Sequence, residues 1–309
     1  MIQINKEKEK LGIGVTIGTG TSSFQTISEQ IKLAEKYDLE FVELSVYDWN
    51  IICGRKIISN ELNKLKKICK NSRLNFTVHG ELSVNFLDEE NIDFHKEVLK
   101  RDIEIASAIE APHLVTHFGV TNNENFKDNL KFTSLLNMQQ QAYEELGEYA
   151  KSNGVILVVE NLFNFMGNNI HVPLPSIVYE ELNKINHTNV RGTLDFSHAY
   201  INSVYYKNNF FDEVEIMSKV SKHLHLHDSF GQLNKMFIYN ESEELSYGFG
   251  DLHLPLGWGD IPFDELFEKI EFPSGLILIL EIQERFIEYF PETILKARDL
   301  MNKARIINL

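Results

Sequence analysis

The sequence predicts a single (β/α)8 barrel, a TIM barrel of the α/β class. Three observations predict it. Eight short apolar segments, rich in β-branched residues or leucine, recur along the chain. Longer stretches with apolar residues at helical spacing separate most of them, and strands alternating with helices mean parallel β/α units. The length of 309 residues suits one such barrel, which folds as a single domain at about this size. A doubly wound open sheet is the alternative arrangement of the same units.

The first segment, GIGVTIG (12–18), runs into the Gly-rich GTGTSS (18–23). That turn lacks the P-loop lysine and the full dinucleotide pattern, so it reads as a βα turn. The helical stretch FQTISEQIKLAEKY follows. EFVELSV (40–46) is the second strand and carries Glu43. LNFTVH (74–79) ends in His79 and precedes the helical NIDFHKEVLKRDIEIASAIE. HLVTHF (113–118) brings His117 to its end, ahead of the helical MQQQAYEELGEYAKS. VILVVE (155–160) ends in Glu160, with Asn161 next. VRGTLD (190–195) ends in Asp195, and His198 lies three residues on. DEVEIMSKVSK is helical and leads into KHLHLHD (222–228). LILILE (276–281) ends in Glu281. No Pro/Gly/Ser-rich linker divides the chain, so 1–309 reads as one domain, with the barrel from about 12 to 300. The connection 229–261, between strands seven and eight, is far longer than an ordinary βα loop, and such loops usually carry function. It contributes Asp251 and His253 in GDLHLPLGWGD.

The segment KHLHLHDSFG (222–231) is the strongest chemical signal. Alternation along a strand puts His223, His225 and His227 on one face and Leu224 and Leu226 on the other. Three imidazoles in a dry core leave nitrogens in need of partners, and a metal answers that need. A barrel of this kind carries its active site at the C-terminal strand ends. Glu43, His79, His117, Glu160, Asp195, His198, His225, His227, Asp228, Asp251, His253 and Glu281 therefore converge there. They form an N/O donor set suited to Zn²⁺, Mn²⁺, Fe²⁺ or Co²⁺, and no thiol falls among them. Phe24, Phe86, Phe118, Phe163, Phe196 and Trp258 are aromatic candidates for a pocket wall, although most phenylalanines in such a chain are core. Arg55, Arg191 and Arg285 are the candidates for a phosphate clamp, each reading more naturally as surface. No GxSxG nucleophile elbow occurs.

Composition narrows the function classes. The formal net charge of −15 argues against a broad nucleic-acid surface, which needs a basic footprint. Only Cys53 and Cys69 occur, too few for a disulfide framework, so a reducing, cytoplasmic setting is expected. The start, MIQINKEKEK, has no apolar signal core, and the longest apolar run, GLILIL (275–280), is too short to cross a bilayer.

The motifs VEN (159–161), LDFSHA (194–199), HLHD (225–228), DLHLPLGWGDIP (251–262) and LEI (280–282) together resemble the xylose isomerase-like TIM-barrel superfamily, from about residue 12 to 300. That superfamily holds the sugar phosphate isomerase/epimerase proteins and the AP endonucleases of family 2, the endonuclease IV type. Its ketose 3-epimerase branch implies one divalent metal held by Glu160, Asp195, His225 and Glu281. The two glutamates would double as acid and base beside a sugar carbonyl, and His198 would touch substrate. His227 and Trp258 join His198 as expected substrate contacts. The endonuclease branch implies three zincs, and this chain fills all nine ligand positions by adding His79, His117, His198, Asp251 and His253. The residues after His79 (GELSV) and after His117 (FGV) depart from the endonuclease pattern, and with the acidic charge they turn the expectation away from DNA. The leading expectation is therefore a metal-dependent isomerase or epimerase with one to three ions and a small sugar substrate. A multinuclear zinc phosphoesterase and a non-catalytic ligand-binding barrel are the alternatives. The resemblance also brings the expectation of a homo-oligomer.

Overall fold

A computed structural model describes residues 12–17, 24–165 and 169–308. The charged N-terminal stretch, the turn expected at 18–23 and the side chain of Phe24 lie outside the described residues. Eight parallel strands close into a barrel: β1 (Gly12–Ile17), β2 (Phe41–Ser45), β3 (Asn75–His79), β4 (His113–His117), β5 (Ile156–Glu160), β6 (Val190–Asp195), β7 (Ser221–Leu226) and β8 (Ile277–Leu280). Each pairs with the next along the chain, and β8 returns to β1, which rules out the open sheet.

Around them lie α1 (Phe24–Lys36), α2 (Ser59–Lys70), α3 (Ile92–Ala108), α4 (Asn129–Ser152), α5 (Pro175–Ile185), α6 (Phe196–Tyr206), α7 (Phe210–Ser218), α8 (Phe263–Lys269) and α9 (Phe290–Lys303). No described helix is long and apolar enough to cross a membrane. The strands read as nearly continuous apolar runs because both faces are buried: alternate residues go outward under the helices or inward into the barrel. In β2, Val42 and Leu44 are fully buried on the helix side, while Glu43 points inward to Thr77. α4 begins well before the expected Met138, because the Asp128 side chain caps it by accepting from the Leu130 and Lys131 N–H groups. Two aromatics expected at a pocket wall are core instead. Phe196 packs against Phe263, Phe267 and Phe272, and Phe86 meets Tyr143 edge-on.

The connection from β7 to β8 is an ordered platform. It carries a short helix, Glu241–Tyr247, closed by an Asn240/Glu243 capping box. An antiparallel bridge ties Asp228 to Leu254, with N–H···O distances of 2.9 and 3.1 Å in the two directions. The Asp228 carboxylate also accepts from the backbone N–H of Gly257 at 2.8 Å and of Ile261 at 3.3 Å. These bonds pin the loop to the end of β7 and bring Asp251 and His253 over the barrel mouth.

Candidate metal centre

Strand register assembles the site. His117 on β4 is level with Glu160 on β5. Between β6 and β7 the pairing jumps from Gly192–Ser221 to Thr193–His223, skipping Lys222, and this bulge sets Asp195 level with His225. Glu281 follows Leu280, the partner of Leu226. Asn161 locks the ends of β5 and β6 together: its amide donates to the Asp195 carbonyl and its oxygen accepts from the Asp195 N–H, each at 3.0 Å. Asp195 also caps α6, with Oδ1 accepting from the His198 N–H at 2.7 Å. Its Oδ2 is thereby turned toward His227 Nε2, 3.0 Å away.

Four imidazoles are oriented alike. Nδ1–H donates to a backbone carbonyl in His79 (Gly80, 3.2 Å), His117 (Leu82, 3.1 Å), His198 (Asn161, 2.9 Å) and His253 (Glu281, 2.7 Å). A carbonyl can only accept, so each ring keeps its Nε2 free for the mouth, the arrangement that metal-ligating histidines adopt. His79 Nε2 and His117 Nε2 face Glu160 Oε2 at 3.3 and 3.7 Å, and that oxygen is buried with no hydrogen-bond partner among the described residues. His198 Nε2 and His253 Nε2 face Asp251 Oδ2 at 3.2 and 2.8 Å. Between these groups, His225 Nδ1 stands 3.1 Å from Glu160, 3.3 Å from Glu281 and 3.8 Å from Asp195. The donors fall into neighbouring groups that overlap at His79, His225, His227 and Glu281, with the N/O chemistry of a divalent transition-metal centre.

The charge balance points the same way. Glu43, Glu160, Asp195 and Glu281 are buried and Asp251 nearly so, whereas no lysine or arginine is among the buried polar described residues. In the metal-free protein, imidazole protons supply the missing positive charge. Burial alone would raise Glu160, but His225, His198 and His79 hold it well below the carboxylate range. Burial likewise opposes the charging of His198, yet Asp195 and Asp251 lift it well above 6.5. The same balance lifts His225, through Glu281, Glu160 and Glu43, and His253 to about 10, through Asp251. His117 goes the other way: burial brings it down to about 4, so it is neutral at neutral pH. A metal needs the lone pairs that His198 and His253 lose on protonation, so uptake must expel protons, and affinity should fall as pH drops. Calorimetry at pH 7 in two buffers of different ionisation enthalpy should show net proton release. Uptake with no proton exchange would contradict this charge scheme.

Above the donors opens a cavity of about 530 Å³. His79, His117, Glu160, His198, Asp251, His253 and Glu281 reach it, with Phe118 and Phe163 on its wall. Asp195, His225 and His227 lie beneath, fully buried. His227 stacks on His253 with ring centroids 4.1 Å apart, so it supports the floor. Trp258, expected at the substrate, is not brought to the cavity: it is exposed and meets Phe286 and Tyr289 edge-on. Arg55 pairs with Glu97 at the surface, and Arg285 lies over the Phe286 ring. Polar residues missed in the sequence also line the cavity, Tyr47, Asn85 and Gln283 among them. Gln283 and Tyr47 lie just past strand ends, which is the signal that would have found them. Asn85 carries none.

A family model described as xylose isomerase-like TIM barrel matches residues 31–303. Among solved structures, a D-tagatose 3-epimerase-like protein superposes with a TM-score of 0.69 at 19% identity, covering 95% of this chain and 99% of its own. The apo form of 3-keto-D-glucoside 4-epimerase, YcjR, from E. coli gives 0.65 at 14% identity, covering 94% and 100%. D-allulose 3-epimerase from Methylomonas sp., in complex with D-allulose, gives 0.62 at 14% identity, covering 96% and 95%. A comparison with curated proteins found no match. At these identities the superpositions speak for the fold, and the family match, which takes in most of the sequence, goes further: the chain belongs to the xylose isomerase-like TIM-barrel family.

Proposed function

We propose that this barrel is a divalent-metal-dependent isomerase or epimerase of a small sugar, moving a proton at a carbon beside a carbonyl. The observation that carries this reading is the pairing of Glu160 and Glu281. Both open into the cavity, and both stand within 3.3 Å of His225 Nδ1. Two carboxylates from different strands above one donor group can each hold a proton against a bound substrate, one as base and one as acid. When bound, a divalent ion would supply Lewis-acid polarisation of the substrate oxygens. Glu160, Asp195, His225 and Glu281 would hold it. The apolar walls, Phe118 and Phe163 among them, suit the C–H faces of a sugar and exclude water. Similarity to proteins named as epimerases of D-allulose and of a 3-keto-D-glucoside supports the substrate class. Cys53 and Cys69 are both free, which supports a reducing setting such as the cytoplasm.

The test is deuterium wash-in. Ketohexoses incubated with the metal-loaded protein in D2O should gain deuterium beside the carbonyl, and Glu281→Gln should slow this by roughly 10²–10⁴-fold. Full activity in that variant would remove Glu281 from the acid–base pair.

One observation favours a second reading, a metal-cluster phosphoesterase. His79, His117, Asp251 and His253 add aligned donors beyond the four that one ion needs. Elemental mass spectrometry on protein purified without chelator separates the two. One metal per chain keeps the isomerase reading in front, and two or three would make the extra residues ligands and put the hydrolase first.

A further inference from the structure

Beneath the mouth lies a polar cluster that the proposed chemistry does not use. Glu43, His113 and His223 are buried on β2, β4 and β7, below His225. The two Glu43 oxygens divide between two rings: Oε2 is 2.9 Å from His223 Nε2, and Oε1 is 3.0 Å from His225 Nε2. Among the described residues neither nitrogen has another polar partner, and the contacts are bent rather than linear. Thr77 donates to Oε2 at 3.0 Å. The far nitrogen of His223, Nδ1, lies 3.3 Å from His113 Nδ1.

His225 is the exception among the histidines of the mouth. It offers Nδ1 to the carboxylates, where His79, His117, His198 and His253 offer Nε2. Among the described residues, no backbone carbonyl fixes its ring. We propose that Glu43 is the positioning residue that does so, holding the proton of His225 on Nε2 so that the Nδ1 lone pair faces the metal.

The reasoning is electrostatic. At 3.0 Å from a carboxylate oxygen, a lone pair on Nε2 is repelled and an N–H is attracted, even when bent. A ring with its proton on Nε2 must present a lone pair at Nδ1. The same rule propagates downward. His223 keeps its proton on Nε2, toward Glu43, and its Nδ1 then accepts from His113 Nδ1–H. One carboxylate thus sets the tautomers of the rings it touches, in the manner of carboxylate–histidine–metal triads. A second ion at Glu43 fits less well. The N···O separations are shorter than the about 3.3 Å that separates donors on a tetrahedral ion with bonds near 2.0–2.1 Å. His225 would also have to give up both of its protons.

This inference rests on the metal reading of the mouth, and the test keeps the two apart. Zinc affinity is measured by chelator competition for wild type and Glu43→Gln, alongside ¹⁵N-histidine spectra of the zinc-loaded wild type. The glutamine amide turns an NH2 toward one of the two Nε2–H groups, so affinity should fall roughly 10–100-fold with the fold retained. The wild-type spectrum should show His225 bound through Nδ1 and protonated on Nε2. Unchanged affinity in the variant, or His225 without a proton on Nε2, overturns the brace. Loss of one whole zinc equivalent in the variant, with the rest bound as tightly as before, also overturns it and makes Glu43 a ligand. A wild type that takes up no zinc overturns the metal reading itself, and the brace with it. Should the variant fail to fold, the wild-type spectrum alone decides.

Discussion

Replacing Glu160 with glutamine should strip the mouth of metal and stop turnover while the barrel stays closed. Its oxygens are shared among four rings: His225 Nδ1 at 3.1 Å, His198 Nδ1 at 3.3 Å, His79 Nε2 at 3.3 Å and His117 Nε2 at 3.7 Å. Glutamine keeps the shape but removes the charge, and its NH2 is a donor turned toward ring nitrogens, those of His225, His79 and His117, whose lone pairs a metal requires. Turnover should fall by at least roughly 10²–10⁴-fold through loss of acid–base work alone, and further through loss of the ion. Stability should register the change in the metal-free protein too. Removing one partner of a buried ion pair costs about 3–5 kcal/mol when the other stays charged, but His225 keeps Glu281 and Glu43 as counter-charges, so the cost should be at the low end. Elemental analysis, turnover and thermal unfolding together check this. A variant with full metal content and full turnover would show that Glu160 is structural.

What the sequence disclosed, and what it did not, follows from how locally each feature is determined. Strands β1 to β8 fall within a residue or two of their apolar runs, because a strand buried on both faces has to be apolar almost throughout. The polar residue that ends such a run, as in VILVVE or VRGTLD, stands out against it. That contrast is why Glu160, Asp195 and Glu281 are legible in the sequence. Glu43 was readable as an inward polar residue but not as the neighbour of His223 and His225. β2 and β7 meet across the barrel interior, and nothing in either segment encodes that meeting. Ring orientation is equally hidden: His79, His117, His198 and His253 are each turned by a carbonyl, and for His117, His198 and His253 that carbonyl belongs to a distant segment. Trp258 misled for a related reason. An aromatic reads as a candidate wall whatever it packs against, and here the ring is exposed and meets Phe286 and Tyr289, just past β8.

Gly259→Ala should lift the β7–β8 loop off the barrel and take the Asp251 and His253 donors with it. A Cβ at this position would meet the Ser229 carbonyl oxygen at 2.3 Å and Asp228 Oδ1 at 2.4 Å. The carboxylate can swing away, but the carbonyl is backbone held against this segment: it accepts from the Asp260 N–H at 2.9 Å. Relief therefore requires 257–261 to move outward, which breaks that bond and the two that Asp228 makes to Gly257 and Ile261. The Asp228–Leu254 bridge is the next link back along the loop, and Asp251 and His253 depend on it for their place at the mouth. His253 is exposed to such slackening because its backbone holds a φ of 46°, a left-handed conformation that costs a non-glycine residue of order 1–3 kcal/mol and persists only while its surroundings enforce it. Freed of the bridge and of the bond from its Nδ1 to the Glu281 carbonyl, it should relax out of line with Asp251. The collision should cost roughly 1–3 kcal/mol of stability. The sharper readout is selective: any ion that Asp251 and His253 help to hold should be lost, while one held by Glu160, Asp195, His225 and Glu281, fixed at the strand ends, is kept. Gly257 is the control, since a Cβ there meets open space and bears only the strain of a φ of 94°. If Gly259→Ala matched wild type in metal content and melting temperature, the loop would not be anchored through this contact, and the placing of Asp251 and His253 would need another cause.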